Sequence, residues 1–256
     1  MKRFPSELED LLSARGRRVL AGKDDLCGAL AAGLRFVGAA DLLDARQSRA
    51  ALGLLERGLR GGLTLMEEPI PARAITGMKK NYGEQLPKAV RVRTVQMASS
   101  RARGSLLAQE LGLTALLRSE SFHALAEALG GYRLRKQRGT QVLCYQANDY
   151  SGPHNDHHPE EPEARGGYID LHLSFCNDAV DHQWLVYEHN GHLSQVRSVA
   201  TLGGLSCYRL PLWHYTTPLS AKPGRLAEAR RWVLLGTFLD AKGQAPRGDA
   251  GPPPAC

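Results

Sequence analysis

A chain of 256 residues, 43% apolar and carrying a net charge of +7, is long enough to bury a substantial core and too apolar for a disordered protein. It has no run of 18 apolar residues, which excludes a membrane-spanning helix. The start Met1-Lys-Arg-Phe-Pro-Ser lacks an apolar signal core, so the expected location is the cytoplasm. Five cysteines, at 27, 144, 176, 207 and 256, form no C-x-x-C pair; a disulfide framework is not expected, and Cys144, Cys176 and Cys207 read as small apolar residues of strands. The charge is uneven, +10 over residues 1–140 and −3 over 141–256. The basic residues are dispersed as on solvated helix faces, apart from short clusters such as Arg133-Leu-Arg-Lys-Gln-Arg138. Nucleic acid is therefore a secondary expectation as a partner.

In chain order, the spacing of apolar residues predicts helices over 6–20, 24–36, 42–60 and 102–129. Asp41-Leu-Leu-Asp44 and Ser119-Glu-Ser place polar caps at two helix starts. Gly61-Gly62 and the Pro69/Pro71 region interrupt the pattern, and within the ambiguous stretch 62–101 the alternation of Val90-Arg-Val-Arg-Thr-Val-Gln96 predicts a strand. From 131 onward short strand-like runs follow at 132–135, 141–146, 168–175, 184–188, 193–199, 205–210 and 232–239. Asn190-Gly191 between two of them predicts a two-residue hairpin. A series of this kind predicts a sandwich or barrel. The organisation expected is a mainly helical region 1–130, integral to or packed on a β core at 131–240, and a disordered Pro/Gly/Ala-rich tail at 241–256.

His154-Asn-Asp156 carries the chemistry. Residues two apart on a strand or at its end point to the same side. Together with His214 in Leu212-Trp213-His214, they offer two imidazoles and one carboxylate, the donor set of the facial triad that leaves open positions on a non-haem Fe(II). Composition alone supplies about 0.4 His-x-Asp pairs by chance, so the pair by itself decides nothing. Asp156 could cap a turn with the histidines in solvent, and His157, His158 and Glu160 stand close by as further donors.

The flanking sequence raises the weight of the triad. The run Tyr145-Gln-Ala-Asn-Asp-Tyr-Ser-Gly-Pro-His154-Asn-Asp156 resembles the approach to the metal site in 2-oxoglutarate/Fe(II)-dependent dioxygenases of the prolyl-4-hydroxylase-like group. The strand Tyr168–Phe175, ending in Phe175-Cys-Asn-Asp178, is similar to that family's next strand. Gly203 to Pro218 looks like its strand-turn-strand bearing the distal histidine, and Arg231-Trp-Val-Leu-Leu-Gly-Thr-Phe238 resembles its closing strand. The resemblance covers about residues 130–240. The chain departs from the pattern at Asn148-Asp149, where the family often has Gly, and in the insert Ala221–Ala229, which leaves Arg225, Arg230 and Arg231 as candidate 2-oxoglutarate ligands. Arg231 is preferred because it begins the strand in register; Arg230 would face the opposite way, and Arg225 fits a surface charge.

The resemblance implies an α+β fold, a double-stranded β-helix (jelly-roll) core with the helical N-terminal region bracing its major sheet. It implies Fe(II) held by His154, Asp156 and His214, with 2-oxoglutarate and O2 as co-substrates. Arg231 would take the distal carboxylate of 2-oxoglutarate, with Tyr145 either a hydrogen-bond donor to it or a core aromatic. The implied reaction is hydroxylation of a small-molecule or peptidyl C–H bond with release of succinate and CO2. Asp156 argues against a halogenase, in which this carboxylate is usually replaced by Ala or Gly. A nucleic-acid dealkylating oxygenase would carry a second arginine where this chain has Thr237, and an Asn where it has Leu143. A non-enzymatic jelly-roll binding module would not need the full ligand set. Tyr168, Asp170, His172 and Ser174 share one strand face, which either lines the pocket or meets water. The loop from His157 to Gly167 is either a lid beside the metal or a surface loop, and the oligomeric state stays open, a homodimer included.

Overall fold

The computed structural model describes residues 3–70, 72, 88–97, 101–156 and 167–241. The expected lid before Gly167 and the tail after residue 241 lie outside the described residues. A 3-10 turn (Leu8–Leu11) leads into α1 (Ala14–Leu20), β1 (Phe36–Ala39), α2 (Ala45–Gly58), β2 (Leu63–Pro69) and β3 (Ala89–Val95). Then come α3 (Arg103–Glu110), α4 (Leu113–Leu117) and α5 (Glu120–Gly130). The strands β4 (Leu134–Gln146), β5 (Tyr150–His154), β6 (Tyr168–Cys176), β7 (Val180–His182), β8 (Trp184–His189) and β9 (His192–Ser198) follow. The described chain closes with β10 (Leu202–Leu210), β11 (His214–Thr216), β12 (Ser220–Ala221) and β13 (Arg230–Asp240).

One antiparallel path runs β1-β10-β6-β13-β4-β3-β5-β11-β8-β9, with β2 added on β3. It makes two facing layers. β1, β10, β6, β13 and β4 form the major sheet; β5, β11, β8 and β9 form the minor one. β3 turns the corner by pairing with both β4 and β5. From β4 to β13 the chain winds back and forth between the layers, which is the double-stranded β-helix. The region before residue 131 thus adds three strands to the sheet as well as helices.

Several local signals act as expected. Asp44 accepts from the backbone of Arg46 and Gln47, and Ser119 accepts from Phe122, capping α2 and α5. Asn190 (φ 50°) and Gly191 (φ 76°) close the β8–β9 hairpin at the pair His189–His192, the primed geometry that suits strand twist. The helix expected over 24–36 does not form. Gly28 and Gly33 take φ of 73° and 105°, which interrupts helical winding, and Phe36 onward pairs with β10 instead. The helix expected over 102–129 is three helices, broken at Gly112 (φ 78°) and again at Ser119.

The helices brace the major sheet. Ile169, Leu171, Leu173 and Phe175 on the outer face of β6, with Trp232, Leu234 and Phe238 of β13, pack in one buried cluster with Leu55, Leu116, Phe122, Leu125 and Leu129. Phe122 and Phe238 meet with ring centroids 5.9 Å apart. Trp232 donates its indole N–H to Glu56 of α2 at 2.8 Å. With the apolar face of the sheet committed to the helices, the alternate residues of the same strands face inward between the layers.

Candidate metal centre

The site starts from strand register. His154 ends β5, His214 begins β11, and the two are direct partners across that ladder. Their ring centroids lie 4.4 Å apart. Each imidazole is fixed by the carbonyl two residues before it: His154 Nδ1 to Gly152 O at 2.6 Å, His214 Nδ1 to Leu212 O at 2.7 Å. A carbonyl only accepts, so Nδ1 carries the proton and the Nε2 lone pair is turned inward. Asp156 follows β5 with φ 52°, which brings its carboxylate back over the pair. Oδ2 lies 3.4 Å from His154 Nε2 and 3.7 Å from His214 Nε2. The main-chain carbonyl of Asp156 accepts from the Tyr168 hydroxyl, tying the ligand loop to the major sheet.

The electrostatics treat the two imidazoles differently, and only His214 is driven toward the neutral form. Burial, then the neighbouring His154, pushes His214 down to about 4. Burial would lower His154 too, but the Asp156 carboxylate outweighs it and holds it above the usual value. His214 is buried rather than facing solvent, as a turn cap with free histidines would require. The three ligand atoms lie within 4.8 Å of one another. Two imidazole nitrogens and a carboxylate oxygen, tautomers already set, fit a divalent ion such as Fe(II).

The triad opens onto a cavity of about 520 Å³ between the two layers. Arg231, Val233, Leu235 and Thr237 of β13 wall it over about 20 Å. Arg231 is 3% exposed. It donates from Nε to Ser174 Oγ at 2.8 Å and from Nη1 to Gln183 Oε1 at 3.0 Å, with its guanidinium 5.2 Å from the centre of the Tyr145 ring. Among the described residues no carboxylate pairs with it, and burial lowers its pKa. Tyr145 is buried in the same wall, bonded to Thr216, with its pKa raised by burial.

The competing arginines are engaged elsewhere. Arg230 points away and donates to the carbonyls of Glu228 and Ala227 at 2.7 and 3.0 Å. Arg225 is paired with Asp178 and Glu228 at the surface.

No protein-family model and no curated protein matches the sequence. Among solved structures, the non-haem α-ketoglutarate-dependent epimerase SnoN from nogalamycin biosynthesis aligns with a TM-score of 0.50 over 89% of this chain and 84% of that one, at 16% identity. A Pseudomonas putida prolyl-4-hydroxylase gives a TM-score of 0.47 over 88% of this chain and 100% of that one, at 15% identity. The likeness is one of fold, a double-stranded β-helix.

Within that double-stranded β-helix the polar face of β6 lines the pocket. Tyr168, Asp170 and His172 border the cavity, and Ser174 holds Arg231 while donating to Val199 O at 2.9 Å. Period-two reading from Tyr168 places Ser174 on this face, so its participation was accessible to sequence reasoning. Gln183 was not: it lies between β7 and β8 and reaches Arg231 only through the fold. The bond from Thr237 to Asp170 and the ring of Tyr208 beside His214 were missed for the same reason.

Proposed function

We propose that the protein is an Fe(II)- and 2-oxoglutarate-dependent dioxygenase that hydroxylates a C–H bond of an amino acid, a peptidyl side chain or a natural-product intermediate, releasing succinate and CO2. One observation carries the reading. A single cavity holds three convergent metal-donor atoms and a buried guanidinium that no carboxylate among the described residues pairs with.

His154, Asp156 and His214 hold the ion on one face, and the carbonyls of Gly152 and Leu212 keep both imidazoles in the ligating tautomer. When bound, Fe(II) with 2-oxoglutarate and O2 supplies the oxidising power that the side chains lack, with 2-oxoglutarate leaving as succinate and CO2. Arg231 receives the distal carboxylate of 2-oxoglutarate. A buried cation without a counter-ion is costly, so a ligand carboxylate offsets that cost as it binds. Ser174 and Gln183 hold the guanidinium in place, and Tyr145 forms the platform beneath it. Leu143, Val233 and Leu235 keep the space between these groups apolar and exclude water.

Purified protein with Fe(II) and 2-oxoglutarate is expected to show a weak visible charge-transfer band without oxygen, and to form succinate in air with a substrate. Arg231→Met is expected to raise the Kd for 2-oxoglutarate at least about thirtyfold, as befits losing one member of a buried charge pair, roughly 2 kcal/mol or more. Metal affinity should not change. Titration of the band against 2-oxoglutarate measures both, and an unchanged Kd removes Arg231 from the site.

A further inference from the structure

We infer that Asp170 anchors a cationic nitrogen of the substrate, so that the molecule oxidised carries an ammonium or guanidinium group. The inference rests on the proposed function for the allocation of Asp156 and Arg231.

Asp170 sits mid-strand on the inner face of β6, facing Thr237 of β13 on one side and Tyr208 of β10 on the other. It is 6% exposed and borders the cavity. Its Oδ1 accepts from Thr237 Oγ1 at 2.7 Å. Its Oδ2 lies 3.7 Å from His172 Nε2, beyond hydrogen-bond length, and that nitrogen is 3.2 Å from the Tyr208 hydroxyl. No Lys or Arg among the described residues pairs with Asp170. A carboxylate has room for about four donors, and among the described residues one neutral hydroxyl lies within bonding distance. Burial of such a group is costly unless a partner arrives.

The charges around the cavity show what is missing. Among the described residues, the charged groups facing it, apart from the histidines, are Glu68, Asp156, Asp170 and Arg231. Asp156 belongs to the metal and Arg231 to the distal carboxylate of 2-oxoglutarate. Asp170 and the exposed Glu68 remain, both negative. The unmet partner is therefore a cation, and only Asp170 is buried enough to favour a charged donor strongly over water.

The anchor stands close to the reacting centre. The Tyr208 ring lies 5.3 Å from that of His214 and 5.1 Å from that of His172, whose Nε2 is near Asp170. Two side chains thus separate the anchor from a metal ligand. Leu235, between Thr237 and Val233 on the same strand face, offers apolar contact for the carbon chain of a bound amine.

The test uses the full chain with Fe(II) and 2-oxoglutarate, held without oxygen and titrated in a calorimeter. The probes are n-butylammonium, n-butylguanidinium and the neutral n-butanol. The cations are expected to bind at least about tenfold more tightly than the alcohol, from a charge-assisted hydrogen bond. The ammonium and guanidinium arms tell the two kinds of substrate apart. Asp170→Asn keeps the shape and an acceptor for Thr237; it should abolish the preference for cations while leaving 2-oxoglutarate affinity unchanged. A purely structural role would lower the melting temperature without touching that preference. Equal binding of alcohol and cations by the wild type, no cation binding at millimolar concentration, or an intact preference in Asp170→Asn would each overturn the proposal. If the variant does not fold, the wild-type comparison decides alone. Failure of the proposed function reads out separately, as absence of 2-oxoglutarate binding in the wild type.

Discussion

His214→Ala is expected to lower the affinity for Fe(II) by more than about 100-fold, past the range typical of losing an outer partner of a metal ligand. The charge-transfer band with 2-oxoglutarate should vanish, and succinate formation with it. The reason is geometric. His214 offers one of three donor atoms, and among the described residues the group contains no imidazole besides His154 that could take its place. The fold should survive, because β11 is a three-residue strand whose ladder bonds come from the backbone and because the strong packing lies on the far side of the major sheet. Circular dichroism and metal titration on the same sample separate the two effects. A band of undiminished strength in a folded variant would refute the triad.

The largest loss of stability is expected from Trp232→Ala, about 3–5 kcal/mol in chemical denaturation. Trp232 is fully buried, paired in register with Cys144 on one side and Phe175 on the other, and bonded to Glu56. The substitution opens a cavity between α2 and the major sheet and leaves Glu56 without that donor. Trp232→Phe keeps most of the volume and should cost markedly less. Because Arg231 is the preceding residue on the same strand, Trp232→Ala should also weaken 2-oxoglutarate binding in whatever fraction remains folded. A loss under about 1 kcal/mol would contradict this packing.

The sequence made the core legible where a local rule carried the information. Strands β6, β8, β9, β10 and β13 followed from period-two alternation and turn residues, and the helix caps from Asp44 and Ser119. Strands β5 and β11 were not expected from pattern, although they carry the two histidines. Each is five residues or fewer, and β5 contains Pro153, so alternation has no length in which to show. The helix expected at 24–36 does not form because Gly28 and Gly33 take positive φ, which its helix-favouring composition does not reveal. Strand β1 was lost with it. In the site, Arg231 was singled out over Arg230 by strand parity, and the two do point to opposite faces. The partners Gln183, Thr237 and Tyr208 were illegible, since their contacts bridge 30 residues or more of chain.

The backbone at Asp156 has an evolutionary consequence. With φ at 52°, the position comfortably accepts glycine, asparagine and aspartate and disfavours most other residues. Asparagine and glycine are each one nucleotide change from aspartate, and both remove the charged ligand while keeping the turn. Loss of the metal donor is therefore the mutational step that folding opposes least. A chain with asparagine or glycine at 156 is expected to keep its fold while losing the charged donor.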